Sequence, residues 1–144
     1  MVVRKIYLLD TNTLSEPTKI KPDLKVLTEL ESKEIFCQIG APTLYEMLRG
    51  INILPDGKRK EGLQDYFDNY VQLIFPVLNY DEHAAKINAE IYARMQKNGT
   101  PVELIDSQLA SIALANNLIL VTRNTKDFEP IQKEFSLCVE NWYK

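Results

Sequence analysis

Hydrophobic positions along this chain follow two patterns: short, mostly apolar runs, and residues that recur at helical spacing. The runs are Ile6-Tyr7-Leu8-Leu9, Ile35-Phe36-Cys37-Gln38-Ile39, Leu73-Ile74-Phe75-Pro76-Val77-Leu78, Leu118-Ile119-Leu120-Val121 and Ser136-Leu137-Cys138-Val139. Runs of this length read as buried strands, the fourth most clearly, and Pro76 marks the third as short or at an edge. Between them, Thr13 to Pro17 reads as a short helical turn ended by proline. Asp23 to Glu31 reads as an amphipathic helix through Leu24, Leu27 and Leu30. Pro42 and Thr43 open a helix with Leu44, Met47 and Leu48 on one face. After the breaker Leu54-Pro55-Asp56-Gly57, another helix carries Leu63, Tyr66, Phe67 and Tyr70, whose spacing favours core or dimer packing over base stacking. A long helix follows Asp81, with Ala84, Ile87, Ile91 and Met95 in register, and closes at Asn98-Gly99; Ile105 to Ala115 forms the next, ended by Asn116-Asn117. Strands alternating with helices predict parallel pairing and right-handed crossovers. The expected fold is a three-layer α/β/α sandwich around a parallel sheet of about five strands.

Composition narrows this picture. A chain of 144 residues, 45% hydrophobic and 26% charged, suffices for one soluble domain, taken as 1–144. No run reaches membrane-spanning length, and Met1 to Ile6 leads into the first strand without a signal-peptide core, so a cytoplasmic protein is expected. Cys37 and Cys138 fall within predicted strands and read as buried free thiols, with no zinc spacing. The net charge of −3, from 17 basic and 20 acidic residues, argues against coating nucleic acid by bulk charge. It leaves a nuclease open, because two divalent cations would change the sum to −3 + 4 = +1 at the place where a phosphate sits.

Candidate chemistry comes from topology. Asp10 ends the first strand, and Glu46 lies in the first turns of the helix leaving the second. Asp106 starts the helix that feeds the fourth strand, and Asp127 follows that strand by six residues. In a parallel sheet all four fall at the carboxyl edge, where ligands bind in open α/β folds. Each also has an ordinary reading. Taken alone, Asp10 is a turn residue; Thr43-x-x-Glu46 and Asn124-x-x-Asp127 have capping-box spacing; Asp106 suits the positive end of its helix. Asp106 resists this most, since Leu109, Ala110 and Ala113 place it on an apolar face. Carboxylates gathered on a rim stay ionised only with positive charge among them. Oxygen ligands without His or Cys suit Mg²⁺ or Mn²⁺, which would activate a water against a phosphodiester in place of a histidine base. The one histidine, His83, reads as a surface residue.

Leu8-Leu9-Asp10-Thr11-Asn12, Thr43-x-x-Glu46 with Arg49-Gly50, Gly99-Thr100-Pro101 ahead of Asp106, and Thr122-Arg123-Asn124-x-x-Asp127-Phe128 together resemble the PIN domain, nearest to the VapC-type ribonuclease toxins of toxin–antitoxin pairs. The resemblance implies a Mg²⁺- or Mn²⁺-dependent endoribonuclease with Asp10, Glu46, Asp106 and Asp127 as its acidic metal and catalytic site. Asn12, Thr122 and Asn124 match the supporting polar positions. It further implies a homodimer held inactive by a small VapB-type antitoxin that covers the groove, with operator DNA contacted only through that antitoxin. The chain departs from the family pattern at Glu103-Leu104-Ile105, where Glu103 is either a fifth carboxylate or a solvent-facing residue. Arg49, Arg123 and Lys126 lie near the expected rim as candidate RNA contacts. Lys58-Arg59-Lys60 reads as a solvated helix start, with RNA or antitoxin contact the weaker alternative.

Three rival readings fit the sequence less well. A haloacid dehalogenase-like phosphatase wants a second Asp two residues after the first, where this chain has Asn12. A receiver domain wants paired acids after the first strand and a phosphoacceptor Asp after the third, where it has Leu9 and Asn79. A PIN-like module that only binds RNA or protein is disfavoured by the presence of all four acids.

Overall fold

The computed structural model describes residues 5–144, so the expectation that Met1 to Arg4 lead straight into the first strand lies outside the described residues. Five parallel strands form the sheet: β1 (Tyr7–Leu9), β2 (Cys37–Gly40), β3 (Val77–Leu78), β4 (Ile119–Val121) and β5 (Cys138–Glu140), in the spatial order β3-β2-β1-β4-β5. Tyr7 pairs with Cys37 on one side and Ile119 on the other, which centres β1. Eight helices connect them: α1 (Thr11–Ser15), α2 (Leu24–Lys33), α3 (Ala41–Asn52), α4 (Lys58–Tyr66), α5 (Gln72–Ile74), α6 (Glu82–Asn98), α7 (Leu104–Asn116) and α8 (Thr125–Glu134).

The period of two in the strands explains the three layers. Tyr7 and Leu9 point into one core with Cys37, Ile39 and Val121, closed by Val26 and Leu30 of α2, Met47 and Ile51 of α3, and Phe67. Leu8 and Leu120 point the other way, into a core with Ile91 and Met95 of α6, Leu109 and Ile112 of α7, and Phe128 and Ile131 of α8. Central strands buried on both faces cannot alternate apolar with polar, hence the unbroken runs. Gly40 marks a close join: a Cβ there would stand 3.1 Å from Leu109 Cδ2 and 3.3 Å from Ile112 Cδ1, so α7 lies close over β2 and a larger residue would push those side chains back by a few tenths of an ångström.

Several boundaries differ from expectation. Leu73 and Ile74 belong to α5, which continues α4 through a wide turn over Phe67–Val71. The third strand is only Val77–Leu78, an edge strand whose neighbour draws a bond to the Pro76 carbonyl (Ile39 N–H, 3.0 Å). Short apolar runs do not separate strand from helix end. Ile35 sits in a tight turn at Glu34–Phe36 and is 84% exposed, so β2 begins at Cys37. Leu24 is 75% exposed; α2 buries Val26 and Leu30 instead. β5 starts at Cys138, not Ser136, and as an edge strand it leaves Cys138 exposed; only Cys37 is a buried thiol, which burial pushes up to about 12. α1 starts at Thr11, and Pro17 lies within the following turn rather than ending the helix. Tyr66 and Tyr70 pack against the first core and donate to the Leu14 carbonyl and the Glu34 carboxylate, both at 2.7 Å. Among the described residues no helix is long and apolar enough to cross a membrane.

Candidate active site

The carboxyl edge of β1 and β4 opens into a cleft of ≈ 630 Å³. Its floor is Asp10, 6% exposed, which leaves β1 and caps α1. Asp10 accepts from the Thr11 amide (2.7 Å), Thr122 Oγ1 (2.8 Å) and Asn12 Nδ2 (3.3 Å). Burial pushes its carboxyl above the usual aspartate value; these donors, Thr122 first, oppose that, and Glu46 adds to it. Thr122 is fully buried at the end of β4 and also accepts from the Asn124 amide (3.1 Å), so it ties the floor to the loop that carries Asn124. Asn12 Oδ1 accepts from the Arg123 amide (3.1 Å). The three supporting positions thus form one hydrogen-bonded web beneath and beside Asp10.

Glu46, Asp106 and Asp127 line the same cleft, with Glu103 beside them and Lys126 as the one cation on its wall among the described residues. Neither capping box forms. α3 begins at Ala41 behind Gly40, so Thr43 lies inside the helix and points at the Leu9 carbonyl (3.4 Å), while Glu46 accepts from Thr11 Oγ1 (2.7 Å). Asn124 precedes α8 without capping it through its side chain. The ordinary readings of these two acids therefore fail on geometry. Asp106 sits in the first turn of α7 and is pushed up to about 7, by burial first and then by Asp10, Asp127, Glu103 and Glu46. Glu103 is exposed on the cleft wall.

The donors are hard carboxylate oxygens with hydroxyl and amide support, a set that fits Mg²⁺ or Mn²⁺ and not a softer ion. Among the described residues no three acidic, histidine or cysteine side chains stand close enough together to enclose an ion as placed. The acids come instead from four elements, with Glu46 held by Thr11 and Asp127 exposed.

Of the basic candidates, Lys126 lines the cleft. Arg123 lies just outside it, its guanidinium 4.9 Å from the Tyr143 ring centroid, and Arg49 stacks on Tyr45 at 5.1 Å. His83 is exposed on α6. Sequence reasoning missed Thr11 and Ser15 on the cleft wall and Glu16 behind it. Thr11 carried a signal only as part of the polar stretch after β1.

An acidic cleft at the carboxyl edge of a five-stranded parallel sheet defines a class: residues 7–134 match the PIN domain, and the chain belongs to that family. Among curated relatives it is 34% identical to the plasmid stability protein StbB of Pseudomonas syringae pathovar tomato, over 86% of this chain and 91% of that one. It is 30% identical to the tRNA(fMet)-specific endonuclease VapC of Salmonella typhimurium, over 94% and 97%. In structure it is similar to FitAcB of Neisseria gonorrhoeae (TM-score 0.84, 28% identity, 95% of this chain and 98% of that one). It is also similar to DNA-bound VapBC of Salmonella typhimurium (TM-score 0.80, 25% identity, 96% and 99%).

Proposed function

We propose that this chain is a Mg²⁺- or Mn²⁺-dependent endoribonuclease and the toxin of a VapBC-type toxin–antitoxin pair. The observation that carries the reading is Asp106: a carboxyl pushed up to about 7 by burial and four neighbouring acids in an open cleft is costly unless a cation joins it. Asp10, Glu46, Asp106 and Asp127 would hold the ion. When bound, the ion supplies positive charge against a phosphodiester and acidifies a water. The chain's own residues do the rest. Thr122, Asn12 and the Thr11 amide orient Asp10 and favour its ionised form against burial, Thr11 Oγ1 restrains Glu46, and Lys126 draws the phosphate backbone to the rim.

The partners in this reading are supported by similar proteins solved as VapBC complexes, one of them bound to DNA. They are a VapB-type antitoxin across the cleft, a second copy of the chain as homodimer, an RNA substrate, and DNA only through the antitoxin. No membrane partner is proposed; the setting is the cytoplasm.

The test is thermal melting against Mn²⁺ for wild type and Asp106→Asn. Ion binding to the folded state must raise the melting temperature by mass action, whatever the RNA. Stabilisation of wild type alone supports the reading. No response in either moves a binding-only PIN module to the front.

A further inference from the structure

Trp142 to Lys144 lie beyond the stretch that matches the PIN domain, yet they are fastened in turn to β1, to α1 and the turn after it, and to the start of α2. Trp142 is buried edge-on against Tyr7 of β1, ring centroids 5.2 Å apart, and this sets the position of its neighbour. The Tyr143 hydroxyl lies 2.9 Å from the Asn12 carbonyl and 2.8 Å from Glu16 Oε1, donating its single proton between two acceptors. Local backbone explains the opening at Asn12. In a continuing α-helix the Glu16 amide would bond to the Asn12 carbonyl, but it bonds to Thr13 O as the chain tightens into the next turn. Burial first, then the Glu16 carboxylate, raise the phenol well above its ordinary value, so it remains a donor. The same ring carries the Arg123 guanidinium on its face, and the Arg123 amide donates to Asn12 Oδ1. Asn12 Nδ2 in turn donates to Asp10 Oδ2.

We infer that Tyr143 is a positioning residue of the cleft. Its hydroxyl sets Asn12, and through it Asp10, for ion binding; its ring holds Arg123 beside the cleft for the backbone of an RNA strand. The inference rests on the nuclease reading above. Two variants separate its halves. Tyr143→Phe keeps the ring under Arg123 and removes the hydroxyl, whereas Tyr143→Leu removes both.

The experiment follows melting against Mn²⁺ and, separately, fluorescence anisotropy of a labelled mixed-sequence single-stranded RNA at low salt. Tyr143→Phe is expected to raise the Mn²⁺ midpoint severalfold, less than the tenfold or more that losing a direct partner of a ligand costs, because its hydroxyl acts through Asn12, and to bind the RNA as wild type does. Tyr143→Leu is expected to show the same midpoint and weaker RNA binding by severalfold. Ile91→Val, on α6 away from α1, provides the comparison for lost stability alone: a lower melting temperature with an unmoved midpoint. A Tyr143→Phe protein that melts lower but binds Mn²⁺ as wild type overturns the hydroxyl half, and Tyr143→Leu binding RNA like Tyr143→Phe overturns the ring half. If wild type itself does not respond to Mn²⁺, the nuclease reading falls and takes the inference with it. If wild type responds and both variants match it in midpoint and RNA binding, the inference alone falls.

Discussion

Two acids, Glu16 at the end of α1 and Asp106 at the start of α7, make opposite use of burial. Glu16 is only 2% exposed, yet it accepts from Lys19 Nζ, the Asp23 amide and the Tyr143 hydroxyl, each at 2.8 Å. Burial pushes its carboxyl up, but these donors outweigh it and hold it below the usual glutamate value. Asp106 is less buried; no donor among the described residues reaches its carboxylate, and the charges that act on it most are those of other acids. Burial therefore does not separate a structural acid from a site acid. The supply of donors does, because a carboxylate left without them must take up a proton or a cation.

The largest expected effect is at Glu16. Glu16→Ala leaves the Asp23 amide without its acceptor and takes one partner each from the Tyr143 hydroxyl and the half-exposed Lys19, and should cost about 2 kcal/mol in urea unfolding, the scale of lost hydrogen bonds to a charged group. A loss within experimental error would remove the contrast altogether. At Asp106 the sign reverses. Metal-free Asp106→Asn should be more stable than wild type by ~1–2 kcal/mol at pH 8, allowing for partial exposure, while RNA cleavage falls by about 100-fold or more. A destabilised Asp106→Asn would mean that its carboxylate is a satisfied structural group.

The pH dependence sharpens the same contrast. The folded-state value of Asp106, about 7, lies above the ordinary 3.8, so between the two the native chain holds a proton that the unfolded chain has released. The stability tied to this group is intact below its ordinary value and is lost as pH rises toward about 7. Glu16 works the other way: its contribution is present above the ordinary glutamate range and is lost as pH falls. Melting curves without metal should show the Asp106 decline flattened in Asp106→Asn; an unchanged profile would place the shift on another acid. A smaller effect is expected from Thr122→Val, which removes the strongest donor to Asp10 and should weaken Mn²⁺ binding about tenfold. His83→Ala, on the exposed face of α6, should change stability by less than about 0.5 kcal/mol and leave cleavage as it was. A marked loss of cleavage there would reopen histidine chemistry.

The sequence by itself determined the layered α/β architecture, because strands buried on both faces must be continuously apolar and helices buried on one face must be periodic. Parallel pairing then required Asp10, Glu46, Asp106 and Asp127 to approach one edge, and they line one cleft. Local pattern could not tell helix end from strand at Leu73–Phe75, nor a buried from an exposed thiol at Cys138, since both depend on which strands are edges. Only the tertiary structure decided that Glu46 meets Thr11 rather than a helix cap, that Thr122 lies under Asp10 from 112 residues away, and that Tyr143 closes on Asn12 from 131 residues away. Hydrogen-bond partners so distant in sequence leave no periodic trace in the chain. The charge state of a carboxylate is set by those partners, and not by its place in a motif.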